Sequence, residues 1–152
     1  EARTIVATLR DHGAGPWGAP GTPGPTSGPG DGGVSVCMHV ADLSATTAAM
    51  VAHLPTDPDA RIRVWCALGS PCCSIFVPVD PAAPPAALAD ATTWRRFAAL
   101  RDRALADPGV HAHDRMRLDA LERALWDEDD ASAAPPADAG PRVLAALDAL
   151  GV

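Results

Sequence analysis

Three apolar runs lie between residues 34 and 79, separated by short turn-forming stretches, and this pattern limits most strongly what the chain can fold into. Residues 34–40 put Val34, Val36, Met38 and Val40 on one side of an extended segment, with Ser35, Cys37 and His39 on the other. Residues 46–54 alternate in the same way. Ala48, Met50, Ala52 and Leu54 form one face, and Thr47, Ala49, Val51 and His53 the other. The small residues of this run also suit a helix, and periodicity alone leaves the choice open. Residues 55–59 are a Pro- and Asp-rich turn. Residues 61–68 place Ile62, Val64, Cys66 and Leu68 opposite Arg61, Arg63 and Trp65. After the break at Gly69-Ser70-Pro71, residues 74–79 form a further short extended piece. Short turns between successive strands predict an antiparallel meander. Such a sheet has two edges to protect and two largely apolar faces, and one run of helices covers only one face well.

The flanks read differently. Residues 1–12 predict a helix, with Ile5, Val6 and Leu9 on one face. Residues 13–33 are mostly Gly and Pro, and such a stretch buries too little apolar surface to offset its ordering entropy, so it is read as a flexible linker. Trp17 is its one candidate anchor, with simple exposure the alternative. Residues 80–152 predict a helical region. Asp90 or Thr92 caps a helix running to about residue 106, and Asp107-Pro108-Gly109 stops it. Asp114 caps a second helix with Leu118, Leu121 and Leu125 on its buried stripe, and Arg115 and Asp119 paired on the outside. Four consecutive acids, residues 127–130, are unfavourable at a helix C-terminus and predict fraying there. A linker near 131–140 precedes a last short helix over residues 142–150. The fold class expected is α+β.

A chain of 152 residues supports one modest core. Its net charge is −7, and all 12 basic residues are Arg, which argues against nucleic acid as a partner. No apolar run reaches the ~18–20 residues that span a bilayer, so no membrane partner is expected. Four cysteines, two of them adjacent, fit reduced thiols and a cytoplasmic location better than a disulfide scaffold.

Candidate chemistry is sparse. Cys37 and His39 share a strand face as a thiol beside an imidazole, but on a pleated strand such positions stand about 7 Å apart, too far for a hydrogen bond. Cys66, Cys72 and Cys73 with His39 lack the paired C-x-x-C spacing of structural zinc, so no metal or other cofactor is expected, with a Cys/His metal protein as a third reading that elemental analysis would test. His111 and His113 are read as flanking a turn, and Arg95, Arg96, Arg101 and Arg103 as a solvated, ion-paired helix face. No G-x-x-x-x-G-K-[ST], H-E-x-x-H or G-x-S-x-G motif is present, and no residue qualifies as catalytic on motif chemistry.

The ordered string of short blocks is more informative. Val36-Cys37-Met38-His39, Thr46-Thr47-Ala48-Ala49-Met50-Val51, Val64-Trp65-Cys66-Ala67-Leu68-Gly69-Ser70-Pro71-Cys72 and Ser74-Ile75-Phe76-Val77-Pro78 follow one another. Together they resemble the C-terminal part of the secernin and dipeptidase group, the cysteine N-terminal-nucleophile hydrolases of peptidase family C69. Leu9-Arg10-Asp11, Trp94-Arg95-Arg96 and Leu121-Glu122 resemble the flanking helices of that group. Residues 13–33 are longer than the family's usual connection. The resemblance implies a partial αββα sandwich, antiparallel strands flanked by helices, in a protein that cleaves dipeptides or small amides. The family's nucleophile is a cysteine at the mature N-terminus whose own α-amine is the base, a group with an unperturbed pKa of about 7.7–8.0. The chain opens on Glu1, so the expected partner is an upstream catalytic half of the same protein, with self-association left open. The resemblance also puts His39 and Thr46 at the substrate cleft, with a structural hydrogen bond as the alternative for each. It assigns Cys72 to the Gly-Ser-Pro-Cys turn. A non-catalytic binding or scaffolding module derived from the same fold is the competing expectation.

Overall fold

The computed structural model describes residues 1–12, 36–40 and 44–152. The expected linker at 13–33, with Trp17, lies outside the described residues. Strands β1 (His39–Val40) and β2 (Ser44–Ala45) form a small antiparallel ladder pairing His39 with Ala45. Strands β3 (Ala48–His53), β4 (Arg63–Leu68) and β5 (Val77–Val79) form a three-stranded antiparallel sheet in the order β3-β4-β5. Met50 pairs with Cys66 and Cys66 with Val77, while Val51 pairs with Trp65 and Trp65 with Pro78. An antiparallel meander is therefore present, built from residues 48–53, 63–68 and 77–79, while the predicted first strand pairs in a separate two-stranded ladder, and residues 48–53 are strand, not helix.

The first strand is much shorter than predicted. Val36 is exposed, Val34 lies outside the described residues, and pairing begins only at His39. The backbone explains this: the Cys37 N–H donates to Asp11 O (3.1 Å) and the Met38 N–H to Thr46 Oγ1 (3.0 Å), so neither N–H enters a ladder.

Among the described residues five helices surround the strands: α1 (Ala2–Leu9), α2 (Ala86–Ala89), α3 (Ala91–Ala106), α4 (Pro108–Ala131) and α5 (Ala139–Ala149). Asp90 caps α3 by accepting from the Thr92 N–H (2.7 Å), as expected. Asp107-Pro108-Gly109 starts α4 as well as ending α3. Asp107 accepts from the Gly109 N–H (2.8 Å) and Pro108 fills the first turn, where its missing N–H costs nothing. His111 consequently sits in a helix and is buried, while His113 faces outward.

The acidic run does not fray. Helix α4 continues through it because Arg61 and Arg63, beside and on β4, close on the Asp129 carboxylate at 2.7 and 2.6 Å. Arg63 also reaches Asp130, and Arg3 reaches Asp127 and Asp130. Arg115 pairs with Asp119 as predicted, but its side chain is 4% exposed and points inward.

Both faces of the sheet receive helices. On one, Val51, Trp65 and Ala67 pack with Val6 of α1, Phe76 and Trp126 of α4. The Trp65 and Trp126 rings stack at 4.8 Å. On the other, Val64, Val77 and Val79 join Phe97 and Leu100 of α3, Leu118 and Leu125 of α4 and Val143 and Leu147 of α5. The remaining uncovered area is edge strand β3, where Met50 is 65% exposed. The molecule is an α+β structure with a three-stranded antiparallel sheet flanked by helices. Among the described residues no helix is long and apolar enough to cross a membrane.

Candidate functional site

The elements meet around the turn between β4 and β5. Gly69 ends β4 at φ 75°, a left-handed conformation natural to glycine, and a Cβ there would lie 2.9 Å from Phe97 Cβ. The Gly69 N–H donates to Thr47 O (2.8 Å), the Ser70 hydroxyl to Thr46 O (2.8 Å) and the Trp94 indole N–H to Thr47 O (2.9 Å). A single 3-10 turn, Pro71–Cys73, follows and buries both cysteines.

Below this turn lies a buried charge network. Arg10 donates to Pro71 O (3.0 Å), to Ser74 O (3.2 Å) and to both carboxylate oxygens of Glu122. Glu122 also accepts from the Phe76 N–H (2.6 Å). Arg115 donates to Ser74 O and to Asp119 (2.9 Å). Burial pushes the Arg115 guanidinium below its ordinary pKa, with the like charge of Arg10 adding to the effect. Each acid thus answers one guanidinium, as burial of charge requires.

Above the turn, four side chains from three segments converge. His12 follows α1, Cys37 and His39 lead into β1, and Cys72 sits in the 3-10 turn. His39 Nε2 lies 3.1 Å from Cys72 Sγ and 3.5 Å from Cys37 Sγ, and the His12 ring meets the His39 ring edge-on at 5.2 Å. All four side chains are buried, and one donor atom from each lies within 4.8 Å of the others. A second group of three, Cys72, Cys73 and His111, shares Cys72. There His111 Nε2 is 3.1 Å from Cys72 O, and burial pushes the His111 pKa down.

The Cys37–His39 contact corrects the 7 Å expectation. That figure holds for a regular strand, and residues 36–38 are not one. The thiols, however, are poor nucleophiles as they stand. Cys37 is pushed up to about 11 by its hydrogen bond with Cys72 and by burial, which outweigh the contrary pull of His12 and His39. Cys72 is raised too: its contact with Cys37 pulls it down, but Cys73 and burial prevail. A buried protonated thiol attacks nothing, because the thiolate is the reactive form. What two thiols and two imidazoles at this range can do is hold a metal ion.

Of the two residues expected at a cleft, His39 is inside this cluster. Thr46 spends its hydroxyl on the hairpin, accepting from the Met38 N–H (3.0 Å). His39 Nδ1 is buried with no hydrogen-bond partner among the described residues, and such an atom costs about 1–3 kcal/mol. Cys66, half-buried on the sheet, is absent from both Cys/His groups.

Sequence reasoning missed His12 as a member of the cluster, and Arg10 and Glu122 as a pair. Glu122 had a visible signal: it stands among Leu118, Leu121 and Leu125 on an apolar stripe, where a carboxylate needs a partner. His12 carries none, since its neighbours are distant in sequence. No family model matches the chain, and neither a curated protein nor a solved structure matches it.

Proposed function

We propose that this chain is the C-terminal portion of a secernin-like cysteine amide hydrolase of the dipeptidase class. In this reading helices cover both faces of its own sheet, so the chain joins the family's larger sheet through the open edge of β3 rather than by stacking face to face, and the cysteine nucleophile comes from an upstream catalytic half of the same protein. One observation carries the reading: the blocks that resemble the family bond to one another. Arg10, from the flanking segment Leu9-Arg10-Asp11, donates to Glu122 of the flanking segment Leu121-Glu122 and to the carbonyls of Pro71 and Ser74 in the blocks between them. Thr46 and Thr47 accept from Ser70, Gly69 and Trp94, and His39 touches Cys72.

Two further features support it. The raised, buried thiols of Cys37 and Cys72 suit structural work, so the amide chemistry needs a different cysteine. Strand β3 pairs on one side only among the described residues and exposes Met50 and Leu54, an edge to which further strands can add. His39 and Thr46 then shape the cleft wall from behind, one through the buried cluster and the other by bracing the hairpin.

The test is native mass spectrometry of the protein from its source, with N-terminal sequencing of every chain found, followed by a dipeptide hydrolysis screen. The reading expects an upstream segment or second chain beginning with Cys and thiol-dependent hydrolysis. A folded protein with no such cysteine and no hydrolysis would support the non-catalytic module in its place.

A further inference from the structure

We propose that His12, Cys37, His39 and Cys72 form a closed, structural Zn²⁺ site that clamps the end of α1 and the β1–β2 hairpin to the turn after β4. This stands on the cluster alone and is independent of the hydrolase reading.

The donor set decides the metal. Two sulfurs and two imidazole nitrogens make the N₂S₂ set that zinc takes in tetrahedral geometry. Four protein ligands fill that geometry and leave no open position, which separates a structural zinc from a catalytic one. The distances agree. With Zn–S about 2.3 Å and Zn–N about 2.0–2.1 Å, a tetrahedron has N···S edges of about 3.6 Å and an S···S edge of about 3.8 Å. The N···S separations at His39 are 3.1 and 3.5 Å, and all four donors lie within 4.8 Å of one another. Small adjustments of side-chain torsions would close the site.

Burial points the same way. Two thiols and two imidazoles packed together away from water hydrogen-bond weakly to one another, and each polar group has lost its hydration. A bound divalent cation compensates all four at once. It displaces the thiol protons to solvent, and two thiolates then neutralise its charge. The neighbouring group of Cys72, Cys73 and His111 is the weaker alternative. It offers three donors, and His111 Nε2 already faces the Cys72 carbonyl.

The location gives the metal a role. The described hydrogen bonds joining these segments near the cluster include Cys37 N–H to Asp11 O and Arg10 to Pro71 O. The ligands span residues 12 to 72, so one ion ties together segments far apart in the sequence. Closing a loop of that length by a fixed crosslink removes much unfolded-state entropy.

The experiment is elemental analysis of the full-length protein, purified without chelator, with Co²⁺ exchanged into the same preparation. The proposal expects one zinc per chain and a tetrahedral Co²⁺ visible spectrum with intense thiolate-to-cobalt absorption from two sulfurs. Chelation should lower the melting temperature, and Zn²⁺ alone should restore it. Cys37→Ser and His12→Ala should each weaken Zn²⁺ binding at least 10-fold, while Cys73→Ser and Cys66→Ser keep it. Because the ligand variants can fail to fold, the wild-type cobalt spectrum is the primary readout. Three results would overturn the proposal: wild-type protein free of metal that also gives no thiolate–cobalt band, a Cys37–Cys72 disulfide in its place, or zinc retained in Cys37→Ser and lost in Cys73→Ser.

Discussion

Replacing Glu122 with Gln should destabilise the fold by about 3 kcal/mol, the low end of what breaking a buried ion pair costs. The magnitude follows from the surroundings. The Arg10 side chain is 3% exposed and the Glu122 side chain 13%, so water cannot replace the lost charge. The Glu122 carboxylate answers Arg10 through both oxygens and takes the Phe76 N–H as well. Glutamine keeps one acceptor and turns an NH₂ toward donors. The like charges of Arg10 and Arg115 would then face one another without the Glu122 carboxylate to offset them. The cost stays at the low end because Arg10 keeps the carbonyls of Pro71 and Ser74. For a chain of this size the melting temperature should fall by roughly 6–12 °C. Urea unfolding followed by tryptophan fluorescence reads the change, since Trp126 donates to Phe76 O beside the network. The double variant Arg10→Met with Glu122→Leu removes both charges and should cost less than the sum of its two single changes. Glu122→Gln within about 0.5 kcal/mol of wild type, the usual range of an exposed substitution, would refute the reasoning. So would a double variant as unstable as the sum of its two single changes.

Gly69→Ala forces a side chain into the left-handed region and against Phe97, and should cost about 2–4 kcal/mol in thermal unfolding; a loss under about 1 kcal/mol would contradict the close approach. Hydrogen bonding from Arg63 holds the Asp130 carboxyl below the usual carboxylate range. A pKa lower in the folded state gives stability that is full above the unfolded value of about 3.9 and is lost as pH falls through the folded one. Wild type should therefore lose its advantage over Asp130→Asn as urea titrations are taken below about pH 4, and a pH-independent gap between the two would count against the pairing.

Much of the fold was legible because period-two alternation bounded by turn residues marks a strand. Strands β3 and β4 fall inside the runs that alternation marked, and Asp90 signalled the start of α3 through its own chemistry. The misreadings share a cause: local rules met tertiary partners. Four acids should unwind a helix end, but Arg3, Arg61 and Arg63 arrive from elsewhere and keep α4 intact through Asp129, whose side chain is 1% exposed. Pro108 reads as a stop, yet it is equally a first-turn residue once Asp107 caps the next helix. The Cys37–His39 contact required a departure from strand geometry that only the Asp11 and Thr46 hydrogen bonds impose. The four-donor cluster was only partly legible for the same reason: Cys37 with His39, and His39 with Cys72, stood out as candidates, while His12 did not. Its members come from three segments, so no C-x-x-C spacing exists to be recognised, and the partners of Arg10 stand up to 112 positions away.

The central claim is that the cysteines of this chain are structural and that a different cysteine cleaves the amide. Its most direct test is to treat the full-length protein with a cysteine-directed electrophile during dipeptide turnover and to map the labelled peptide. The account predicts inactivation with the label on a mature N-terminal cysteine and none on Cys37, Cys66, Cys72 or Cys73. Inactivation with the label on any of those four would contradict it.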